Sequence, residues 1–552
     1  MNSQNKGRQP LMLSAVHALQ KAGILGAVLV SAAVILAFIL PLLQAYSPLF
    51  SGRLSAAYSL RQLLRISRYT FEEALASTLL ALLIGIPAAF FTARRQFPGR
   101  KLLMSFAAVP LCVPPLIVAL GYISTFGTAG YVNQFLSFLA GRKDRPFSFL
   151  YSFAGLVMTQ GFYNFPIVMA SVADAWSQLD SSQADSARLL GAGEVRCFFS
   201  ITFFQLLPAL LSGAMTVFIY CFFSFMFVLL FGIPGGTTLE VAIYHAGRSS
   251  MDFTAAAGLA LLETLSAFLT LFFLNRAENT AKRLKGLSFA GTSCTPLPLR
   301  KKERFLAAVF FAVICIFFLL PILSIIAASC TARTGGHKSF SLAVWKQLFT
   351  MGSFYRSLRN SLYTATATGI LCTTTGLTAA LLLTLPVFRG RALFRSLPLL
   401  PLAVSSVLMG LGMTKLVRRG NPALLILAQT ALYWPFAFRQ IHACLSRIPD
   451  SVIEAAAVLS SSRTDPLFRV ILPYCRKGIL SGLGFCFAMS CADATLPLVL
   501  SIYKFDTLSL FTYRLAGSYR FSHASAAGCV LGLVCILAFT LSNRGKETHG
   551  IS

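Results

Sequence analysis

Acidic side chains are scarce in this chain: 18 Asp and Glu stand against 47 Lys and Arg, and charged residues of both signs make up only 12% of its 552 positions. A soluble chain carries charge on about a quarter of its residues, so a body wetted on all sides is excluded. No GxxxxGK[ST] phosphate loop occurs, and the Gly545-Lys546 pair has no Ser or Thr after it, so the chain lacks the means to hydrolyse ATP. Cys-x-x-Cys is absent and no two of the six histidines stand at ligand spacing, which leaves no metal site and calls for no cofactor. Paired carboxylates, a Ser-His-Asp set and a helical His-Glu-x-x-His are also missing. No catalytic residue is assigned, and the chain does not read as an enzyme. The net charge of +29 has no basic soluble domain to carry it, so it reads as membrane-surface charge and not as nucleic-acid binding.

What the chain has in excess is apolar: 56% of its residues are hydrophobic and the mean hydropathy is +0.72. Its apolar runs have the length that a bilayer core of about 30 Å asks of a helix, and backbone groups in lipid must be satisfied within the segment. The runs predict twelve spans, near 24–43, 72–93, 103–125, 150–172, 208–232, 254–274, 305–327, 361–385, 397–416, 422–442, 478–501 and 523–542. The fold class is therefore all-α and polytopic, with the lipid bilayer as a partner. Lys6, Arg8 and Lys21 precede the first span, which fits a signal anchor, and the basic residues favour both termini in the cytoplasm. Cysteines such as Cys221, Cys372 and Cys486 fall inside the runs as small packing residues.

The halves repeat in the same direction. Ala74, Gly85, Pro110 and Gly121 recur 291 residues on as Ala365, Gly376, Pro401 and Gly412. Past an insertion near 126–149 the offset falls to 269, and Ser212-Gly213, Thr238-Leu239 and Tyr244 meet Ser481-Gly482, Thr507-Leu508 and Tyr513. Two parallel six-helix units are expected, 1–275 and 305–552, joined by a charged cytoplasmic linker at 276–304.

Between the apolar runs lies EAAAVLSSSRTDPLFRVILP at 454–473, read as helix, turn, helix with a small-residue face on Ala455 and Ala456. An Ala-rich amphipathic helix beside a span commonly does no more than pack. A second copy, DSARLLGAGEVRCFFSITFF at 185–204, makes chance a poor account. The pair resembles the EAA loop of ABC-importer permeases, a Glu-Ala-Ala followed by a Gly and an Ile-x-Leu-Pro ending. Ser460 stands for the Gly and Val470 for the Ile in the later copy. In the earlier one Asp185 stands for the Glu, Ala187 for the second Ala and Gly191 for the Gly, while Phe203 and Phe204 replace Leu-Pro. The resemblance implies that Asp185, Ala187, Gly191, Glu454, Ala455, Ala456 and Ser460 belong to coupling helices seated in the clefts of a separate ATPase present in two copies. It also implies an extracytoplasmic substrate-binding protein and a place in the bacterial inner membrane.

Stretches 224–247 and 505–528 look like the fused permeases of thiamine importers, with ferric-ion importers next. Thiamine or a thiamine phosphate is the expected substrate and ferric ion the alternative. Parallel six-helix repeats also describe major-facilitator transporters, the second alternative, which have no reason to carry the loop twice. Within the runs the acidic residues singled out are Glu263 and Asp493, with repeat counterparts Gly532 and Ser224. A carboxylate in a span is a functional candidate because burying it costs at least about 2–3 kcal/mol. Asp493 and Glu263, with the aromatic rings of Phe222 and Phe225, are the expected substrate-pathway residues; their plainer reading is packing and a paired carboxylate. Pro208 and Pro473 are expected to open helices five and eleven.

Overall fold

Apolar runs set where helices form, and hydroxyl, amide and proline residues at their edges set where each begins. The structure, a computed structural model, describes residues 35–50, 58–141, 148–179, 182–284, 296–299, 301–334, 337–384, 398, 400–417, 420–459 and 465–543. The helices that position the candidate sites begin with α1 Leu40–Tyr46, α2 Leu60–Arg94, α3 Pro115–Phe126, α4 Phe153–Ser177, α5 Phe203–Phe222 and α6 Phe253–Leu284. They continue with α7 Leu320–Ser329, α8 Gly352–Thr384, α9 Ser406–Leu416, α10 Pro422–Leu445, α11 Leu472–Ala492 and α12 Phe521–Asn543. Among the described residues nine helical stretches are long and apolar enough to cross a membrane, as an all-α polytopic fold requires. A capping box starts α2: Ser59 Oγ accepts from Gln62 N and Gln62 Oε1 accepts from Ser59 N. Asn421 caps α10 with Pro422 in its first turn.

The expected start of helix five at Pro208 is corrected. Helical backbone already runs from Glu194, and Pro208 lies inside α5. Pro473 does stand in the first turn of α11, directly after a widened turn, Pro466–Ile471, which relieves the clash of its ring with the carbonyl four residues back. The ends differ too: the fifth span stops at Phe222 and the eleventh at Ala492, each followed by a break and a short helix, Met226–Phe231 or Thr495–Leu500.

The compact units do not follow chain order. One comprises residues 1–53, 349–511 and 530–552; the other comprises 54–348 and 512–529. In the first unit α1 packs on α9, and α8, α10 and α11 pack on one another. In the second unit α7 packs on α3, and α2, α4 and α5 form a second trio. The first helix of each half thus sits with the other half's third.

Proline explains the shape of these exchanged helices. Widened turns Ile35–Ile39 and Cys315–Leu319 precede Pro41 and Pro321, which supply no N–H to the helix. The Phe317 carbonyl, four residues before Pro321, accepts from the Tyr122 hydroxyl of α3 instead. Close backbone approach follows beside it. A Cβ on Gly121 would lie 2.3 Å from Pro321 O, and one on Gly412 would lie 2.2 Å from Pro41 O. At both places only glycine leaves room for the neighbouring backbone.

The segment after each short helix carries two left-handed residues three apart, Gly232 and Gly235 in the first half and Ser501 and Lys504 in the second. Serine at φ 45° carries a Cβ penalty that glycine at φ 55° does not. Ser501→Gly is expected to stabilise the protein by about 0.5–1 kcal/mol. A melting midpoint in detergent that stays level or falls would contradict this.

Candidate functional site

Ser182–Leu189 forms the first helix of the earlier loop. It stops because Gly191, at φ 89°, takes the left-handed cap while Ala192 N donates to Ala187 O at 3.0 Å. Gly193 then opens the next helical turn at Glu194. Asp185 is exposed and pairs with Arg188 at 2.7 Å, and Ala187 is half-buried. Gln205 Nε2 donates to Gln183 Oε1 at 2.7 Å, tying the loop helix to the span that follows.

In the later loop Asp450–Leu459 is helical and carries Glu454, Ala455 and Ala456. Ala455 is exposed and Ala456 half-buried, whereas Ser460 lies outside the described residues. Sequence reasoning missed the apolar tips. Leu189 and Leu190 are each 90% exposed, and Val458 and Leu459, 269 residues on, are 64% and 85% exposed. Phe199 and Phe468 repeat the match at 60% and 62%. Large apolar side chains are thus exposed at matched positions of the two loops. The signal was present as a Leu-Leu run beside the turn glycine.

The remaining candidates are buried. Asp493 does not lie within helix eleven but at its C-terminal break, where its backbone N–H closes the last turn. Its Oδ1 accepts from Thr495 N at 2.9 Å and Leu496 N at 3.1 Å, opening the short helix Thr495–Leu500. Its Oδ2 accepts from Gln429 Nε2 at 3.1 Å, and Tyr433 bonds it as well. Gln429 Oε1 in turn accepts from Ser490 at 2.6 Å and Thr368 at 3.2 Å. The carboxylate is the centre of a closed network joining α8, α10 and α11. Phe222 stacks on Phe218, and Phe225 meets Tyr244 edge-on, so both rings are buried within their own unit. Glu263 is buried in α6.

A further buried carboxylate escaped the sequence reading. Glu73, fully buried in α2, stands next to Glu72 at the edge of an apolar run and so reads as interfacial. Ser77 Oγ donates to its Oε1 at 3.2 Å. Ser77 and Asn164 bond Cys221, on which Glu73 also acts electrostatically, so α2, α4 and α5 meet there.

With doubled loops and doubled cores in place, the comparison with known families is decisive. The sequence profile described as "Binding-protein-dependent transport system inner membrane component" matches twice, over residues 81–278 and 372–544. The chain belongs to that family. This inner-membrane permease is 26% identical over 506 residues to the thiamine transport system permease protein ThiP of Brucella abortus (strain 2308), covering 88% of each chain. It is 26% identical to the ThiP protein of Escherichia coli (strain K12), over 86% of this chain and 88% of the relative. The ferric transport system permease protein FbpB of Actinobacillus pleuropneumoniae is 24% identical over 82% of this chain and 67% of its own length. Family membership removes the major-facilitator alternative, and the multi-pass inner-membrane location stands.

Proposed function

We propose that this permease is the membrane subunit of an ABC importer, coupled through both loops to two copies of an ATPase and supplied by an extracytoplasmic binding protein. The observation that carries this reading is the matched exposure of Leu189-Leu190 and Val458-Leu459 at the ends of the two loop helices. A docked ATPase cleft would cover these side chains, and their burial would hold the loops to it; each large apolar side chain contributes about 1.5–3 kcal/mol when fully buried. Both loops and both termini face the cytoplasm in this arrangement. Residues 1–275 and 305–552 are the two repeated permease units in sequence, with 276–304 between them. The substrate is thiamine or a thiamine phosphate, a reading supported by the ThiP relatives' span of most of the chain. Ferric ion is the second reading, favoured by the similarity to FbpB.

Replacing Leu189-Leu190 by Glu-Glu, and Val458-Leu459 likewise, is expected to cut ATPase stimulation by loaded binding protein at least about tenfold while the permease still inserts. That loss corresponds to about 1.4 kcal/mol, less than one buried leucine supplies. Stimulation unchanged in both variants would remove the docking reading. Uptake of labelled thiamine and of ferric ion by vesicles holding the whole complex decides the substrate. Iron uptake without thiamine uptake would overturn the thiamine reading.

A further inference from the structure

The polar centres of the two halves occupy the same repeat positions but differ in how completely their buried atoms are hydrogen-bonded. Gln160 and Gln429 correspond, as do Ser224 and Asp493, Asn164 and Tyr433, Cys221 and Ser490, and Glu73 and Thr364. In the second half, among the described residues, no buried side-chain nitrogen or oxygen lacks a hydrogen-bond partner. In the first half Glu73 Oε2, Gln160 Oε1 and Asn164 Oδ1 have none, although all three residues are at most 2% exposed. Their other atoms are engaged: Glu73 Oε1 by Ser77, Gln160 Nε2 by Ser224 at 2.9 Å, and Asn164 Nδ2 by Cys221 Sγ at 3.5 Å. In this arrangement the amide N–H groups are spent on Ser224 and Cys221 and the carbonyl oxygens stay open.

These three oxygens belong to one locality. Gln160 and Asn164 are one turn apart on the same face of α4, and Glu73 and Asn164 both flank Cys221 where α2, α4 and α5 pack. The Tyr69 hydroxyl, one turn from Glu73, is a further buried atom without a partner. Every open atom can accept, one is a carboxylate oxygen, and no ion pair among the described residues involves Glu73. A positive charge bearing donors would satisfy all of them at once. A hard divalent ion takes about six to eight oxygens and tolerates neither a thiol nor an aromatic ring well. An organic cation with N–H groups fits three separate acceptors beside a tyrosine ring.

We propose that Glu73, Gln160 and Asn164 form an intramembrane site, present in the first half only, for a transported substrate that is an organic cation and also carries N–H donors, as thiamine does on its amino-pyrimidine. The site rests on the import reading for what enters it. Its closed counterpart in the second half serves as scaffold.

The test uses the purified full-length permease in detergent, with the melting midpoint followed against thiamine, benzylammonium and uncharged benzyl alcohol. Thiamine and benzylammonium are expected to raise the midpoint of the native protein, and benzyl alcohol to leave it unmoved. Glu73→Gln and Glu73→Thr, the latter copying the residue at the repeat position, are expected to weaken the cation response at least tenfold without lowering the ligand-free midpoint. Asn164→Leu, of similar size, carries the same expectation should a Glu73 variant be poorly folded. Cations that fail to shift the native protein, or that shift native and variants alike, would overturn the proposal and leave a hydrated structural cluster. Stabilisation by benzylammonium through Glu73 without any by thiamine would keep the cation site and remove the thiamine reading. Thiamine uptake by the complex that Glu73→Gln leaves intact would do the reverse.

Discussion

Gly412→Leu is expected to leave almost no folded protein, and Gly121→Leu to behave the same way. A Cβ at either position meets a proline carbonyl oxygen at 2.2 or 2.3 Å, with the carbonyl carbon within 2.9 Å behind it, and neither atom can swing aside as a side-chain tip would. The helices must move apart by about 1 Å for a methyl group and further for an isobutyl group, in a core packed as densely as a crystal. Glycine to alanine there costs about 1–3 kcal/mol, and leucine costs more. Against a total stability of about 5–15 kcal/mol that is severe. Size-exclusion recovery from detergent extracts measures it, with Gly258→Ala as the control because nothing lies within 4 Å of its Cβ. Recovery of Gly412→Leu equal to the control would show that α1 and α9 are not in this contact.

Asp493→Ala is expected to be the most damaging side-chain truncation in the second half. It strands Gln429 Nε2, Tyr433 OH and the backbone N–H groups of Thr495 and Leu496, all of which bond the carboxylate. Each buried donor left without a partner costs about 1–3 kcal/mol. Asp493→Asn keeps the size but turns an N–H group toward at least one of these donors, and a smaller loss is expected. The melting midpoint in detergent separates the roles. Lost transport with an unchanged midpoint would make Asp493 a residue of the substrate path rather than a keystone.

Composition and run length made the helices legible, and the repeat made the two halves legible, because hydrophobic length and residue spacing are local properties of the chain. The doubled loop was legible for the same reason, down to Gly191 as its turn residue. Packing partners were not. Gly121 and Gly412 announce a close approach, yet nothing in the sequence names Pro321 and Pro41 as what approaches. The break at Asp493 was hidden because Ala492, Ala494 and Leu496 keep the run apolar, and hydropathy does not register a side chain that caps the next helix. Glu73 was hidden by Glu72: two adjacent acids look like a membrane boundary, whereas in the helix one is half-exposed to Arg68 and the other is buried.

The exchange of first helices has a consequence for how the protein is made. Residue 46 closes α1, but its partner α9 begins at Ser406, 360 residues later. At about 5–20 residues per second the ribosome needs tens of seconds to reach it. Through that interval α1 waits in the bilayer with its Gly412-facing surface against lipid or an insertion factor, and α3 waits in the same way for α7. Neither unit can close while only the first half exists. A chain arrested after the first six helices would therefore be an unfinished substrate for membrane quality control rather than half of a working permease.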